Sequence, residues 1–249
     1  MRILKTATTL ILAAAMSAAA AARAESGFDA ACGLQESLYS LFENNKNSIV
    51  KVYAKKEIHS KDSAGNEAKT TILDVGSGFI ASKTGAVMTS AFITRGAQKL
   101  WIEYNGRLLD AENVGFDPIT TVSVIKIAGN FKSADLPVVL MEPVKPATVL
   151  VSISHEMGFA ASPRMGMATG QNIEFGGRFL PTVYVRTNIP APRGSTGGAV
   201  FTLDGKFAGM IVASLPEIGG SFILPARAAA GEDIDALAEE TWALFCSIR

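Results

Sequence analysis

Gly194-Ser195-Thr196-Gly197-Gly198 is followed along the chain by an apolar segment, Ala199-Val200-Phe201, a polar turn, Asp204-Gly205-Lys206, and a second apolar segment, Phe207 to Ala213. Two apolar segments joined by a turn that contains glycine are typical of a β-hairpin. The glycines that precede the hairpin mark a loop. This stretch therefore predicts a glycine-rich loop, carrying the hydroxyl groups of Ser195 and Thr196, that leads into two paired strands.

On both sides of this hairpin, the chain consists of short apolar or alternating segments separated by turn residues. The predicted strands are Ile49 to Ala54, Thr70 to Val75, Gly78 to Ala81, Ala86 to Ser90, Leu100 to Tyr104, Arg107 to Phe116, Val122 to Ala128, Thr148 to Ser154, Met165 to Phe175, Thr182 to Thr187, Ala199 to Thr202, Phe207 to Ala213 and Ser221 to Leu224. Short strands at regular spacing indicate a sandwich or barrel, because closure removes exposed sheet edges. The sequence therefore predicts an all-β fold, and the number of strands suits two closed six-stranded barrels.

Short helices are predicted at the two ends of this all-β region. Apolar residues follow helical spacing from Ala31 to Phe42 and again from Ile234 to Phe245. Between the first two strands, the polar segment His59 to Lys69 has no apolar period and is predicted to be a solvated hairpin loop. Prolines punctuate Leu136 to Ala147, which predicts the seam between the two barrels at that segment.

The first 24 residues have the pattern of a secretory signal peptide. Arg2 and Lys5 precede an alanine-rich apolar run from Ala7 to Ala22, and Ala22-Arg23-Ala24 is a small-x-small cleavage site. An uncleaved anchor helix is the alternative, but the run is short and a membrane span needs about 20 strongly apolar residues. We therefore predict an exported chain, periplasmic or secreted, with residues 25–249 as its mature domain.

The charge balance argues against nucleic acid as a partner. The 249-residue chain has 23 basic and 23 acidic side chains, and removal of the signal peptide takes away Arg2, Lys5 and Arg23, which leaves 20 basic residues against 23 acidic ones. No stripe of basic residues interleaved with aromatic ones remains. We therefore expect no binding to nucleic acid.

Two cysteines, Cys32 and Cys246, lie near the ends of the predicted mature domain. Export would place them in a compartment where disulfides persist, and we predict a bridge between them. Two inert buried thiols are the alternative. The chain has only two histidines, His59 and His155, and these four side chains do not form a metal-binding pattern, so we expect no metal and no other cofactor.

Four segments together resemble the chymotrypsin-like serine proteases, in particular the exported bacterial HtrA/DegP type, over roughly Ser48 to Ala228. They are Gly76-Ser77-Gly78-Phe79-Ile80, Val87-Met88-Thr89-Ser90-Ala91-Phe92-Ile93, the stretch Val114 to Ile127 and the stretch Thr187 to Gly198. The second is similar to the family's valine-x-threonine-asparagine-x-histidine-valine, and the last to its loop ending in glycine-asparagine-serine-glycine-glycine. Four matches in the right order imply a trypsin-like double barrel.

The resemblance places Phe92 at the position of the catalytic histidine, Thr121 at that of the aspartate and Thr196 at that of the serine. A hydroxyl is a poor nucleophile until a neighbouring base removes its proton, and Phe92 cannot accept one. Thr121 carries no charge to orient an imidazolium, and the methyl group of Thr196 crowds the approach to a carbonyl. An oxyanion-type loop, Arg193-Gly194-Ser195-Thr196, remains, but alone it leaves only about 10³–10⁴-fold acceleration over water. The resemblance therefore implies a pseudoprotease with no catalytic residue.

The same loop offers two other sources of chemistry. Ser195 could act as the nucleophile with His155 as its base, or Thr196 could act without a base. His155 lies at the end of a predicted strand and is better explained as a loop histidine near Glu156. Asp117, considered as a displaced catalytic acid, is better explained as a turn residue before Pro118.

The resemblance also implies a groove between the two barrels, because peptides bind such clefts by adding a strand to an exposed sheet edge. Its wall would be the strand after the loop, formed by Ala208, Gly209, Met210, Ile211, Val212, Ala213 and Ser214. Pro190 and Pro192 restrict the backbone of the segment that lines the primary pocket. The family's PDZ module is not expected, because the sequence ends after the predicted C-terminal helix.

Our leading hypothesis is an exported, non-catalytic protein that binds a peptide or protein partner in or near the former cleft. One alternative is an active serine/threonine-type endopeptidase of atypical mechanism. Another is a structural or assembly subunit that uses an outer surface.

Overall fold

The computed structural model describes residues 28–61, 67–82, 84–118, 120–129, 131, 140, 142–173 and 182–226. Helix α1 covers residues 28–45, in agreement with the helix predicted near the N-terminus. The described residues up to Leu41 belong to one compact unit, and those from Phe42 onward belong to a second. Among the described residues, no helix is long and apolar enough to cross a membrane.

Several predictions involve residues outside the described ranges, among them part of the predicted seam from Leu136 to Ala147 and the end of the predicted strand from Met165 to Phe175. The signal peptide, the C-terminal helix and Cys246 all belong to this part of the chain. Cys32 is described, and it is an exposed free thiol. The bridge between Cys32 and Cys246 therefore stays a prediction.

Twelve strands form two closed six-stranded barrels, which confirms the predicted fold class. The first barrel contains β1 (Ile49–Lys61), β2 (Glu67–Ile80), β3 (Ala86–Ser90), β4 (Ala97–Tyr104), β5 (Arg107–Phe116) and β6 (Val122–Ile127). The second contains β7 (Val149–His155), β8 (Ala161–Ile173), β9 (Tyr184–Thr187), β10 (Ala199–Thr202), β11 (Phe207–Leu215) and β12 (Gly220–Pro225). The order is β1-β2-β3-β6-β5-β4 around the first barrel and β10-β11-β12-β9-β8-β7 around the second.

The first hairpin differs from the prediction. The segments Thr70 to Val75 and Gly78 to Ala81 were expected to be separate strands, but β2 runs through both. The predicted loop from His59 to Lys69 was also wrong at its ends, because β1 and β2 pair out to Lys61 opposite Glu67. The backbone N–H and C=O groups of neighbouring antiparallel strands bond each other whatever the side chains are. Polar residues can therefore continue a β-ladder although the sequence shows no apolar alternation there.

Each barrel is filled by inward-facing aliphatic side chains that alternate along the strands. The first core includes Val52, Ile80, Val87, Ile102, Ile125 and Ile127, none more than 2% exposed. The second core is built around Leu150, Ile189, Val200, Ile211 and Ile223. The two cores hold the loops that connect the strands in fixed positions, and the candidate site is made from those loops.

Candidate functional site

Phe92 lies on a one-turn helix, α2 (Ala91–Thr94), directly after β3. The Ser90 hydroxyl caps this turn by accepting a hydrogen bond from the Phe92 N–H. Lys56 Nζ lies 2.8 Å from the Phe92 carbonyl oxygen and 2.8 Å from a carboxylate oxygen of Asp74. The Phe92 side chain is 41% exposed. An aromatic ring that accepts no proton therefore occupies the position that the resemblance assigns to the catalytic base.

Thr121 is held beside α2, because its carbonyl oxygen accepts a hydrogen bond of 2.8 Å from the Ala91 N–H. Its backbone has φ of +61°, in the left-handed region, and the residue is buried. Burial raises the pKa of Tyr184, and the Thr121 hydroxyl has a smaller, opposite effect on it. Thr121 supplies a neutral hydroxyl at the position assigned to the catalytic aspartate.

Asp117 stabilises the loop that leads to Thr121. Its carboxylate accepts hydrogen bonds from the Thr120 hydroxyl, at 2.7 Å, and from the Thr120 N–H, at 3.3 Å. Its carbonyl oxygen accepts from the Thr121 N–H at 2.9 Å. These contacts support the interpretation of Asp117 as a turn residue.

Ser77 on β2 joins the first barrel to the glycine-rich loop of the second. Its N–H donates to the Thr196 carbonyl at 2.8 Å, and its hydroxyl donates to the Gly194 carbonyl at 2.7 Å. The same hydroxyl accepts from the His155 N–H at 2.8 Å. Sequence reasoning quoted Ser77 as part of a motif but missed this role. The available sequence signal was a serine between two glycines, directly before the apolar residues Phe79 and Ile80.

Gly76 lies between α2 and the glycine-rich loop. A Cβ atom at Gly76 would be 2.6 Å from the Ile93 side chain and 3.0 Å from the Thr196 carbonyl oxygen. Together with the Ala91–Thr121 hydrogen bond, this close packing brings the backbones at Phe92, Thr121 and Thr196 to one side of the molecule. The structure therefore assembles the three positions that the sequence analysis had connected only by resemblance.

The two loop hydroxyls differ in accessibility. Ser195 is fully buried, and its hydroxyl has no hydrogen-bond partner among the described residues, whereas Thr196 is half-buried. The ring nitrogens of His155 lie 3.0 Å from the Phe159 carbonyl oxygen and 3.2 Å from that of Ile49. In this arrangement His155 contacts backbone carbonyls and not the Ser195 hydroxyl.

The predicted groove strand has a shorter open edge than the sequence suggested. Residues 209–211 of β11 are bonded on both sides: β12 pairs with the strand from Gly209, and β10 pairs with it up to Met210. Ile211 continues on the β10 side, where it exchanges hydrogen bonds with Gly197 and Gly198. Beyond that point, within the described residues, only β12 pairs with β11. Of the predicted groove residues Ala208 to Ser214, only Val212, Ala213 and Ser214 therefore lie on the open edge next to the loop.

Replacement of Thr121 by asparagine is expected to stabilise the protein by about 1 kcal/mol. A β-branched side chain is strained in the left-handed region, at a cost of roughly 1–2 kcal/mol, and asparagine tolerates that backbone better. Urea unfolding would measure the change. Thr71→Asn, at an exposed position in β2, is the matched control and should be neutral or destabilising, because asparagine is disfavoured in strands. Equal losses in both variants would contradict the strain at Thr121.

The family model described as "Trypsin-like peptidase domain" matches residues 76–210. Two relatives, from Marinomonas sp. and Halomonas elongata, are each named "Probable periplasmic serine endoprotease DegP-like". The Marinomonas relative is 31% identical over 165 residues, which cover 62% of this chain and 34% of the relative. The Halomonas elongata relative is 31% identical over 163 residues, which cover 61% of this chain and 32% of the relative. The chain thus spans about a third of the length of these curated relatives.

Solved structures give the same fold. A structure of the HtrA-type protease AlgW with a decapeptide has a TM-score of 0.69 at 19% identity and covers 76% of this chain and 63% of that one. The serine endoprotease from Yersinia pestis has a TM-score of 0.59 at 21% identity, with coverages of 76% and 62%. These likenesses support the double barrel. With a family model that matches more than half of its residues, this chain belongs to the trypsin-like peptidase domain family.

Proposed function

We propose that this protein is an exported member of the family that does not cleave peptide bonds and that binds a peptide or protein partner in or near the cleft. The observation that carries the proposal is the identity of the three residues gathered there. Phe92 offers no proton acceptor, Thr121 offers no charge, and the Thr196 hydroxyl has no hydrogen bond to a base within the described part of the chain. Hydroxyl nucleophiles depend on such a base for their reactivity.

The surroundings of these residues support binding. The loop is held by Ser77, and the three residues from Val212 to Ser214 leave a sheet edge to which an extended chain can add. The exposed ring of Phe92 offers apolar contact area. Export is supported by the N-terminal sequence pattern and by the periplasmic names of the relatives.

The test combines cleavage and binding of one unfolded substrate, reduced and carboxymethylated α-lactalbumin carrying a fluorescent label. We expect no cleavage by the purified protein and none by the Ser195→Ala/Thr196→Ala variant. We expect binding, measured by anisotropy, to weaken about tenfold in Phe92→Ser, because the variant loses the burial of an aromatic side chain. Leu108→Ser is the control, since Leu108 is also exposed but lies at the opposite end of β5 from the Thr121 loop.

Each alternative function has its own outcome. Cleavage by the unmodified protein that disappears in the Ser195→Ala/Thr196→Ala variant would establish an active endopeptidase of atypical mechanism. Binding that is lost in Leu108→Ser but kept in Phe92→Ser would indicate an outer surface, as expected of an assembly subunit. Binding that neither variant changes would also contradict a partner site at Phe92.

A further inference from the structure

The side chain of His155 bridges backbone groups of the two barrels. Its Nδ1 atom lies 3.0 Å from the carbonyl oxygen of Phe159, in the turn between β7 and β8 of the second barrel. Its Nε2 atom lies 3.2 Å from the carbonyl oxygen of Ile49, at the start of β1 in the first barrel. One half-buried imidazole ring therefore connects the β7–β8 turn to β1.

Both groups that face the ring nitrogens are carbonyl oxygens, which can only accept a hydrogen bond. A neutral imidazole carries a proton on one nitrogen and a lone pair on the other, so it can donate to Ile49 or to Phe159 but not to both. In either neutral form, the lone pair of one nitrogen faces the lone pairs of a carbonyl oxygen. Only the imidazolium ion, with a proton on each nitrogen, donates to both carbonyl groups.

A carboxylate on the neighbouring strand β4 favours the same charged form. Glu103 interacts electrostatically with His155, and it accepts hydrogen bonds from Lys51 at 3.1 Å and from the Tyr53 hydroxyl at 2.8 Å. The Tyr53 bond is the main cause that lowers the pKa of Glu103; burial opposes it, and the charges of Lys51 and His155 lower the pKa further. Burial and the bond to Glu103 raise the pKa of Tyr53 to about 12. Glu103 is therefore negative, and Tyr53 neutral, wherever a histidine titrates.

The other charged groups on the elements next to the ring are already engaged. The Glu156 carboxylate, which follows His155 along the chain, is paired with the Arg164 guanidinium of β8. The guanidinium of Arg193, on the glycine-rich loop, contacts the Leu73 carbonyl at 3.4 Å. The two carbonyl groups and Glu103 therefore set the charge that suits this ring.

We propose that His155 is an acid-strengthened latch between the barrels, in which the imidazolium holds the β7–β8 turn and the start of β1 together. Loss of one ring proton to solvent breaks one of the two hydrogen bonds, so the seam loosens as the pH rises. The change reaches the glycine-rich loop, because the Met157 N–H of the same turn donates to the Arg193 carbonyl at 2.7 Å. This inference is independent of peptide binding.

The two histidines of the chain supply the test and its matched control. His155→Gln keeps an N–H donor that does not titrate, and His59→Gln removes the exposed histidine of β1. Urea unfolding of the purified protein from about pH 5 to pH 8 gives the folding equilibrium constant across the histidine range. We expect this constant to fall about tenfold more in the unmodified protein than in His155→Gln, the effect of one lost hydrogen bond from a charged donor. His59→Gln should follow the unmodified protein.

The ring nitrogens of the unmodified protein give a second readout, which does not depend on whether a variant folds. In ¹⁵N spectra at about pH 5, we expect two slowly exchanging ring N–H signals from His155 and rapidly exchanging ones from the exposed His59. At about pH 8, one of the two His155 signals should be lost. A neutral His155 ring at the lower pH would overturn the proposal, and so would two ring protons kept at the higher pH. The same conclusion would follow if stability depended on pH equally in His155→Gln and the unmodified protein.

Discussion

The triple variant Phe92→His/Thr121→Asp/Thr196→Ser is expected to cleave unfolded α-lactalbumin about 10²–10⁴-fold faster than the unmodified protein, since this is the range that a positioned general base contributes. The backbone at these three positions is held by contacts within the protein. The Ala91–Thr121 hydrogen bond connects the first two positions, and Ser77 holds the loop that carries the third. The Thr121→Asp change would also suit the left-handed backbone at that position, because aspartate is enriched in that region.

Partial restorations provide the controls for this experiment. Catalytic groups of this kind act as a unit, so Phe92→His alone and Phe92→His/Thr121→Asp should remain close to the unmodified protein. Release of labelled fragments over time measures the rates, and circular dichroism confirms folding. A folded triple variant without activity would contradict the inference that the site geometry is preserved. Substantial activity of the unmodified protein would contradict the proposed absence of catalysis.

Replacement of Gly197 by alanine is expected to lower the free energy of unfolding by more than about 4 kcal/mol, a size that point substitutions seldom reach. Gly197 has φ of +88°, and a Cβ atom there would lie 2.0 Å from the Ser77 carbonyl oxygen and 2.7 Å from the Thr89 hydroxyl. The first of these neighbours is backbone within a barrel strand, so it cannot move aside. The substitution must therefore separate the loop from β2.

Gly106→Ala separates this packing effect from backbone strain. Gly106 has φ of +73°, similar to that of Gly197, but nothing lies within 4 Å of an added Cβ atom. The Gly106→Ala substitution should therefore lower the free energy of unfolding by only about 1–2 kcal/mol, the ordinary cost of an alanine in the left-handed region. Urea unfolding of both variants measures the difference. Equal losses would show that the loop and β2 are not packed as closely as described.

The strands could be predicted from the sequence because their pattern is local. Ala86–Ser90, Arg107–Phe116 and Ala199–Thr202 agree with their predicted bounds residue for residue. Turn residues limit each segment. In Ala86–Ser90 and Ala199–Thr202 the mostly apolar residues are also all buried, whereas Arg107–Phe116 has no buried residue and was recognisable by its limits alone. The outer ends of β1 and β2 could not be predicted, because their polar residues are held by backbone pairing and leave no apolar signal.

The candidate site could be predicted only in part, because residue types within short stretches do not determine backbone conformation or burial in a loop. The sequence identified Phe92, Thr121 and Thr196 as corresponding positions through motifs around each of them. It could not reveal that Ser195 is buried while Thr196 is accessible, because adjacent loop residues have no fixed alternation of faces. The left-handed backbone at Thr121 was equally hidden, since threonine is a residue that this conformation disfavours.

The sequence by itself determined the barrel strands, the glycine-rich loop and the presence of a phenylalanine where the resemblance expects a base, all of which depend on residue types within short stretches. Only the tertiary structure decided what holds that loop. The hydrogen bond from Ser77 to Gly194 joins residues 117 positions apart, and the contact exists only because two closed barrels pack at that point. A local pattern reports which side chains are buried, but it carries no information about which distant backbone groups will meet.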